Sequence, residues 1–480
     1  MNHSIIRYIL GQVLKFEGAF LLLPCVVALI YRERAGMSFL VVSLACFGLG
    51  LLITYKKPVD QVYFAREGFV IVALSWIVMS IFGAIPFVLN GDIPNFTDAL
   101  FETISGFTTT GASILSDVES LNYCSLFWRS FTHWIGGMGV FVFLLAVLPM
   151  AGGYNMHLMR AESPGPSVGK LVPKVRDTAK ILYVIYITMT IIEFILLVIA
   201  KMPVFDSICT AFGTAGTGGF GIKNSSMGDY SMVIQGIVTV FMILFGVNFN
   251  VYFILLLSKH KKDIFNIEEV RGYFLIIAAV IGVITWNARD LFGALFEAFH
   301  AAAFQVASII TTTGFATANF DLWPQLSRTL LVIIMFIGAC AGSTGGGIKV
   351  SRILILLKTV KQEMGYFIHP RSVKTIKMDG KPLEKETVRD VSAFMVTYII
   401  IFGISMVILA FDNLDMVTNF TAITATINNI GPGLELVGPT GNFAVFSPLA
   451  KYVLMFDMLA GRLELHPLLL LFSPSVWSRN

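Results

Sequence analysis

The sequence predicts an all-α integral membrane protein. An N-terminal two-helix hairpin is followed by four parallel helix–pore-loop–helix repeats, set with pseudo-fourfold symmetry around a central pore. Three observations carry this. The 480 residues are 56% hydrophobic and only 13% charged, with a mean hydropathy of +0.78. A soluble domain carries roughly 25% charged residues, so there is too little charge here to build a water-facing surface, and a large soluble enzyme is excluded. Loops rich and poor in Lys and Arg alternate along the chain, and a short Thr/Gly-rich segment recurs four times.

Stretches approaching the about 20 mostly apolar residues needed to cross a bilayer occur near 10–30, 38–54, 69–89, 125–150, 181–200, 231–258, 272–288, 327–357, 392–411 and 446–472. Shorter apolar stretches near 97–110, 206–216, 290–311 and 415–428 end in Thr, Gly or Asn. They read as re-entrant half-helices followed by irregular backbone, which at membrane depth is tolerated only inside protein or beside a water-filled cavity.

Loop charge sets the orientation. The loops at 55–68, 157–180, 259–271 and 349–389 hold 22 Lys and Arg between them, whereas 90–128, 201–230, 287–328 and 412–450 hold 4. The rich side is cytoplasmic. Arg32 and Arg34, in the 31–37 loop, are the exception and face outward. Each helix–loop–helix unit therefore starts and ends in the cytoplasm, and four such parallel repeats share an axis along the membrane normal. The expected divisions are 1–55 for the hairpin, then 56–157, 158–260, 261–365 and 366–480 for the four units. A net charge of +4 without a clustered basic face gives no sign of nucleic-acid binding. The five scattered cysteines read as packing residues. Arg7 and Lys15 interrupt the apolar N-terminus, which has no cleavable-signal pattern.

The four units align on their re-entrant segments, which begin beside Asp98, Asp206, Asp290 and Asp415, each read as a helix N-cap. FETISGFTTTGAS (101–113) and FQVASIITTTGFA (304–316) place Gly111 opposite Gly314. In unit two, Gly219-Phe220 with Asn224 matches Gly314-Phe315 with Asn319, which selects Gly219 over Gly218, and the 13 residues from Asp206 to Gly219 agree with those from Asp98 to Gly111. Unit four supplies Gly431 after Ile430. The spacing from Asp290 to Gly314 is longer, with no reason visible in the sequence.

A dehydrated cation inside a membrane needs oxygen ligands, and backbone carbonyls supply them without a titratable charge. Glycine lets the chain leave helical geometry to aim them. A preceding Thr adds a hydroxyl, and the negative end of the short helix faces the ion. The candidate filter is therefore Thr110 and Gly111, Gly218 and Gly219, Thr313 and Gly314, and Ile430 and Gly431. Below it, GACAGSTGGGIK (338–349) interrupts the second helix of unit three. Gly345, Gly346 and Gly347 cannot support a helix there, and the segment reads as a mobile gate. Lys349 is expected to snorkel to the cytoplasmic side. Arg462 lies midway along the last span, with Asp457 or Glu464 as candidate partners.

The motifs TTTGAS, GTAGTGGFG, TTTGFATANF and NNIGPG, with WIGGMGV (134–140) and AGSTGGGIKVSR (341–352), resemble the Trk/Ktr/HKT superfamily of potassium channels and transporters over nearly the whole chain. The resemblance implies passage of potassium and rubidium with weaker passage of sodium, through a filter of one glycine per repeat. It implies that Arg462 lies on the permeation path beside the gating loop, where its charge raises a barrier to cations. It also implies a multi-pass protein of the bacterial inner membrane, a homodimer, and a TrkA-like cytoplasmic subunit that binds NAD and ATP-type nucleotides. Potassium is the cargo, and no organic cofactor is expected in this chain. Unit four, with Asn429-Ile430-Gly431-Pro432, departs from the Thr-Gly pattern.

Residues 216–221 fit G-x-G-x-x-G, but without a flanking strand and helix in a soluble domain this is not a dinucleotide site. The histidines, His133 and His300 among them, are dispersed, and no nucleophile–base pair stands out, so the chain does not read as an enzyme. Two other functions compete: a proton-coupled potassium symporter, for which Glu102 and Asp98 are the main carboxylates, although both fit cap or outer-mouth roles, and a non-transporting scaffold.

Overall fold

The structure is a computed structural model that describes residues 1–58, 64–139, 175–257, 264, 266–371 and 375–477. The expected unit boundaries at 157/158 and 260/261, and most of the basic loop 157–180, lie outside the described residues.

The N-terminal hairpin pairs His3–Tyr31 with Gly36–Thr54. Asn2 caps the first helix by accepting from the Ile5 amide at 3.2 Å. The Ser43 hydroxyl ties the two helices together, donating to the Gly18 carbonyl at 2.7 Å. Arg32, with φ 59°, turns the chain between them. The Glu33 carboxylate then accepts from the Tyr123 and Cys124 amides at 2.7 and 3.0 Å. This seats the 31–37 loop on the N-terminus of the second helix of unit one, at the outer face. The two outward arginines therefore sit where the sequence put them, against the charge rule.

Each unit starts with a long helix: Ala65–Asn90, Val175–Ile199, Glu268–Ala288 and Lys385–Leu409. Their outer faces are apolar. On the last of them Val396, Ile399, Ile400, Ile404 and Val407 are exposed, a helical stripe turned to lipid rather than water. Pore helices follow at Phe96–Phe107, Val204–Gly216, Leu295–Ile310 and Met416–Ile427.

The starts of the pore helices correct the sequence reading. Only Asp415 is an N-cap, accepting from the Thr418 amide at 2.8 Å. Asn95 caps the first pore helix, accepting from the Thr97 amide at 2.8 Å. Asp98 and Asp206 lie in the first turn, where a carboxylate still suits the positive helix end. In unit three that place belongs to Glu297, and Asp290 lies earlier, in a short 3-10 turn. The unexplained spacing is thereby resolved: the third pore helix has 16 residues against 12 in the first, about one extra turn.

The second helices hold the larger departure. The sequence predicts a break only in unit three. Unit two breaks as well, between Met232–Phe245 and Phe249–Leu257, with a bend of 91° over the apolar part. Unit three breaks between Gln325–Ile337 and Val350–Ile368. Unit four breaks between Pro448–Arg462 and His466–Leu470, with Glu464 and Leu465 at positive φ. In unit one, Tyr123–Met138 ends at Gly139, which has φ 81°. Among the described residues, six helices are unbroken and apolar enough to cross a membrane, or seven if the bent pair of unit two counts as one span, and the span expected at 125–150 lies partly outside the described residues. A short hairpin, Lys377–Met378 with Lys381–Pro382, lies in the basic segment before the first helix of the last unit.

Candidate functional site

Each pore helix ends in the same backbone sequence of events. Thr109 and Gly111 have φ of 56° and 78°, Thr217 and Gly219 56° and 72°, Thr312 and Gly314 57° and 86°, and Asn429 and Gly431 56° and 100°. In every unit the left-handed region is entered at the glycine and at the residue two before it. Left-handed backbone strains any residue with a Cβ, so its repetition at Thr109, Thr217, Thr312 and Asn429 marks a geometry imposed by the surroundings.

The four segments meet in a closed ring. A methyl group placed on Gly111 would lie 2.0 Å from the Gly218 carbonyl oxygen. One on Gly219 would lie 2.0 Å from the Thr313 oxygen, and one on Gly314 2.1 Å from the Ile430 oxygen. One on Gly431 returns to unit one, 2.9 Å from the Thr110 oxygen. Each glycine thus rests on the carbonyl that precedes the glycine of the next unit. All four glycines line one outer cavity of about 220 Å³.

The hydroxyls of Thr110 and Thr313 are hydrogen-bonded within the protein. They share hydrogen bonds of 2.8 Å with Thr108 and Thr311, which in turn donate to Ile104 and Ala307 carbonyls of the pore helices. In unit four Asn429 does different work, donating from Nδ2 to the Thr110 hydroxyl and to the Met458 carbonyl, both at 2.9 Å.

Behind the ring lies a buried ion pair that the sequence did not announce. Arg129 Nη2 is 2.7 Å from Glu102 Oε1, and both side chains are almost fully buried. Glu102 also accepts from the Ser113 hydroxyl at 2.9 Å and the Ile114 amide at 3.0 Å, and Arg129 donates to the Gly221 carbonyl at 3.1 Å. The pair therefore ties the strand after Gly111 to the strand after Gly219. Glu102 is neither a cap nor an outer-mouth group. Asp98 does lie toward the outside, paired with Lys451 at 2.6 Å.

The segment 338–349 packs directly beneath the ring. The Gly346 amide donates to the Thr312 hydroxyl at 2.6 Å. Methyl groups on Gly345 and Gly346 would lie 2.9 Å from the Thr311 oxygen and 2.5 Å from the Asn428 oxygen, so the segment reaches under both unit three and unit four. Glu269 accepts from the Ala341 and Ser351 amides at 2.7 and 3.1 Å, closing both ends of the segment. Gly347, with φ 77°, is the member of the glycine triplet that needs left-handed backbone. Lys349 is buried instead of snorkelling, and its ammonium donates to the Gly345 carbonyl.

Arg462 reaches this segment from unit four. It donates to the Thr344 carbonyl at 2.9 Å, to the Gly137 carbonyl at 2.8 Å and to the Gly136 carbonyl. Of the two candidate partners, Asp457 accepts from the Ser405 hydroxyl at 2.9 Å, and Glu464 pairs with Arg352. Among the described residues no cluster of His, Cys, Asp or Glu is built to hold a resident metal.

The fold and this convergence define a class: multi-pass membrane proteins in which four tandem units bring four re-entrant segments to one ring. A family model described as TrkH, cation transport protein, matches residues 36–287 and 292–479, and the chain belongs to that family. It is 37% identical over 485 residues to the Trk system potassium uptake protein TrkH of Salmonella typhimurium, covering 99% of this chain and 100% of the relative. To TrkH of Vibrio parahaemolyticus it is 38% identical over 483 residues, covering 99% of each. It superposes on the crystal structure of the potassium transporter TrkH from Vibrio parahaemolyticus with a TM-score of 0.89 and 35% identity, each chain covered completely. These relatives are transport proteins, not enzymes, and a multi-pass place in the bacterial inner membrane fits both the family and the apolar helices.

Proposed function

We propose that this chain takes up potassium across the membrane through the ring formed at Thr110-Gly111, Gly218-Gly219, Thr313-Gly314 and Ile430-Gly431. The observation that carries the reading is the closed circuit of glycine-to-carbonyl contacts, with all four glycines opening on one outer cavity. Relatives named as potassium uptake proteins over the full length support the choice of ion. Carbonyl oxygens replace the water shell, and the C-terminal ends of four pore helices add a negative field. The inside-negative potential contributes about 2.3 kcal/mol per charge per 100 mV, so inward movement needs no coupled chemistry.

The 338–349 segment is the gate in this reading. It lies across the path beneath the ring and must withdraw for ions to pass. Gly345, Gly346 and Gly347 let it pack close, and Arg462 holds it through the Thr344 carbonyl while placing a positive charge near the path. A TrkA-like nucleotide-binding subunit beneath the membrane would release it, and a homodimer is the expected assembly. The unit divisions at 55/56, 157/158, 260/261 and 365/366 belong to the same proposal. Proton coupling finds little support, because Glu102 and Asp98 are each paired with a base.

The test is rubidium uptake into liposomes holding the purified chain, with sodium as competitor and with or without a pH gradient. Rubidium uptake that sodium competes with weakly is expected. No uptake, or equal competition by sodium, would overturn the filter; dependence on the pH gradient would favour symport.

A further inference from the structure

Unit two breaks the pattern of the ring at two places. Counted back from the glycine, units one and three carry Thr108 and Thr110, and Thr311 and Thr313, whose paired hydroxyls fasten each segment to its own pore helix. The corresponding residues of unit two are Gly216 and Gly218, which have no side chain with which to do this.

We infer that His133, from the second helix of unit one, does this work instead and sets the position of the second filter segment. This rests on the filter reading above. The imidazole is fully buried. A methyl group on Gly218 would lie 2.2 Å from its Cγ and 2.3 Å from its Nδ1, so the ring fills the space where Thr110 and Thr313 have side chains. A methyl on Gly216 would lie 2.2 Å from the His133 carbonyl oxygen, so the second missing threonine also makes way for this residue.

The ring's hydrogen bonds fix its chemistry. Nδ1 lies 2.8 Å from the Gly106 carbonyl of the first pore helix, and a carbonyl only accepts, so Nδ1 carries the proton. Nε2 is then bare and accepts from the Phe220 amide at 3.2 Å, one residue beyond Gly219. The neutral imidazole with its proton on Nδ1 satisfies both contacts. The Phe220 ring packs on it with centroids 4.2 Å apart. His133 is thus a positioning residue: it hangs the second segment on the first pore helix, as Thr110 and Thr313 hang theirs on their own.

Three variants in the liposome assay test this, with detergent melting to show that each is folded. H133A should lower rubidium preference over sodium roughly tenfold, the scale of a lost buried hydrogen bond. H133Q, whose amide keeps one donor and one acceptor, should retain most of the preference. The double variant H133A/G218T, which returns a threonine to the space the imidazole leaves, should regain part of it. A folded H133A with native preference overturns the inference, as does loss of preference in H133Q equal to that in H133A. Should H133A fail to fold, the double variant decides, recovery of fold and preference supporting the inference. If neither folds, H133Q alone decides by keeping or losing preference. A native chain without rubidium selectivity would sink the filter reading itself; a selective native chain indifferent to His133 would sink only this inference.

Discussion

The ring and the segment beneath it are built from the same residue types, Gly and Thr, yet they are held in opposite ways. The filter residues themselves are fastened by neutral, short contacts within and between units, threonine pairs, one asparagine and one imidazole, with the charged Arg129–Glu102 pair only behind them. The segment at 338–349 is fastened by charged side chains reaching in from elsewhere, Glu269 at its ends and Arg462 at Thr344. Neutral packing at close range has no substitute in solvent, so it fixes one geometry. A charged latch can be exchanged for water or for another ion at modest cost once the site opens, which is what a moving part requires.

Substitutions in the two regions should therefore fail differently. The largest effect is expected at the ring. Gly314→Ala combines left-handed backbone with a methyl 2.1 Å from the Ile430 oxygen, and rubidium-over-sodium preference should fall by more than about tenfold, one lost ligand-scale interaction being worth that much. Gly431→Ala, where the nearest oxygen is 2.9 Å away, should fall less in the same assay; equal losses would argue against the unequal quarter. Next is Glu102→Ala, which strands a buried arginine. A cost of about 3–5 kcal/mol is expected, read as a large drop in detergent melting temperature.

Arg462→Ala tests the latch. Rubidium uptake should rise about fivefold, as if ~1 kcal/mol of electrostatic barrier were removed, with ion preference unchanged. Unchanged or lower flux at normal expression would count against a barrier role. The smallest effect is expected for Lys451→Ala, whose pair with Asp98 lies near the outer surface, with 9% and 26% of the two side chains exposed. A loss of less than about 1 kcal/mol, screened by salt, is expected there, with no change in preference.

Much of this was legible in the chain. Apolar length, the alternation of loop charge and the Thr-Thr-Thr-Gly repeats lead to four parallel units, and the Gly-Phe motif shared with unit three points to Gly219. What was hidden depends on contacts far apart in sequence. The break after Phe245 falls at Gly246-Val247-Asn248-Phe249-Asn250, a glycine and two asparagines that hydropathy over a whole span averages away. Thr109, Thr217 and Thr312 take a backbone that β-branched residues avoid, and only the packing around the ring imposes it. Asp290 stood in for Glu297 because an acidic residue before an apolar stretch looks the same whether or not a helix begins there. Lys349 looked like a surface lysine because its partner carbonyl belongs to the loop that it ends.

One consequence follows from a circuit closed within a single polypeptide. In an assembly of identical chains a coding change is copied into every quadrant at once, and most such changes are ruinous. Here the asparagine of one quarter and the histidine-backed glycines of another could arise one at a time. Ion preference in such a protein can drift by quarter steps, each small enough to survive selection.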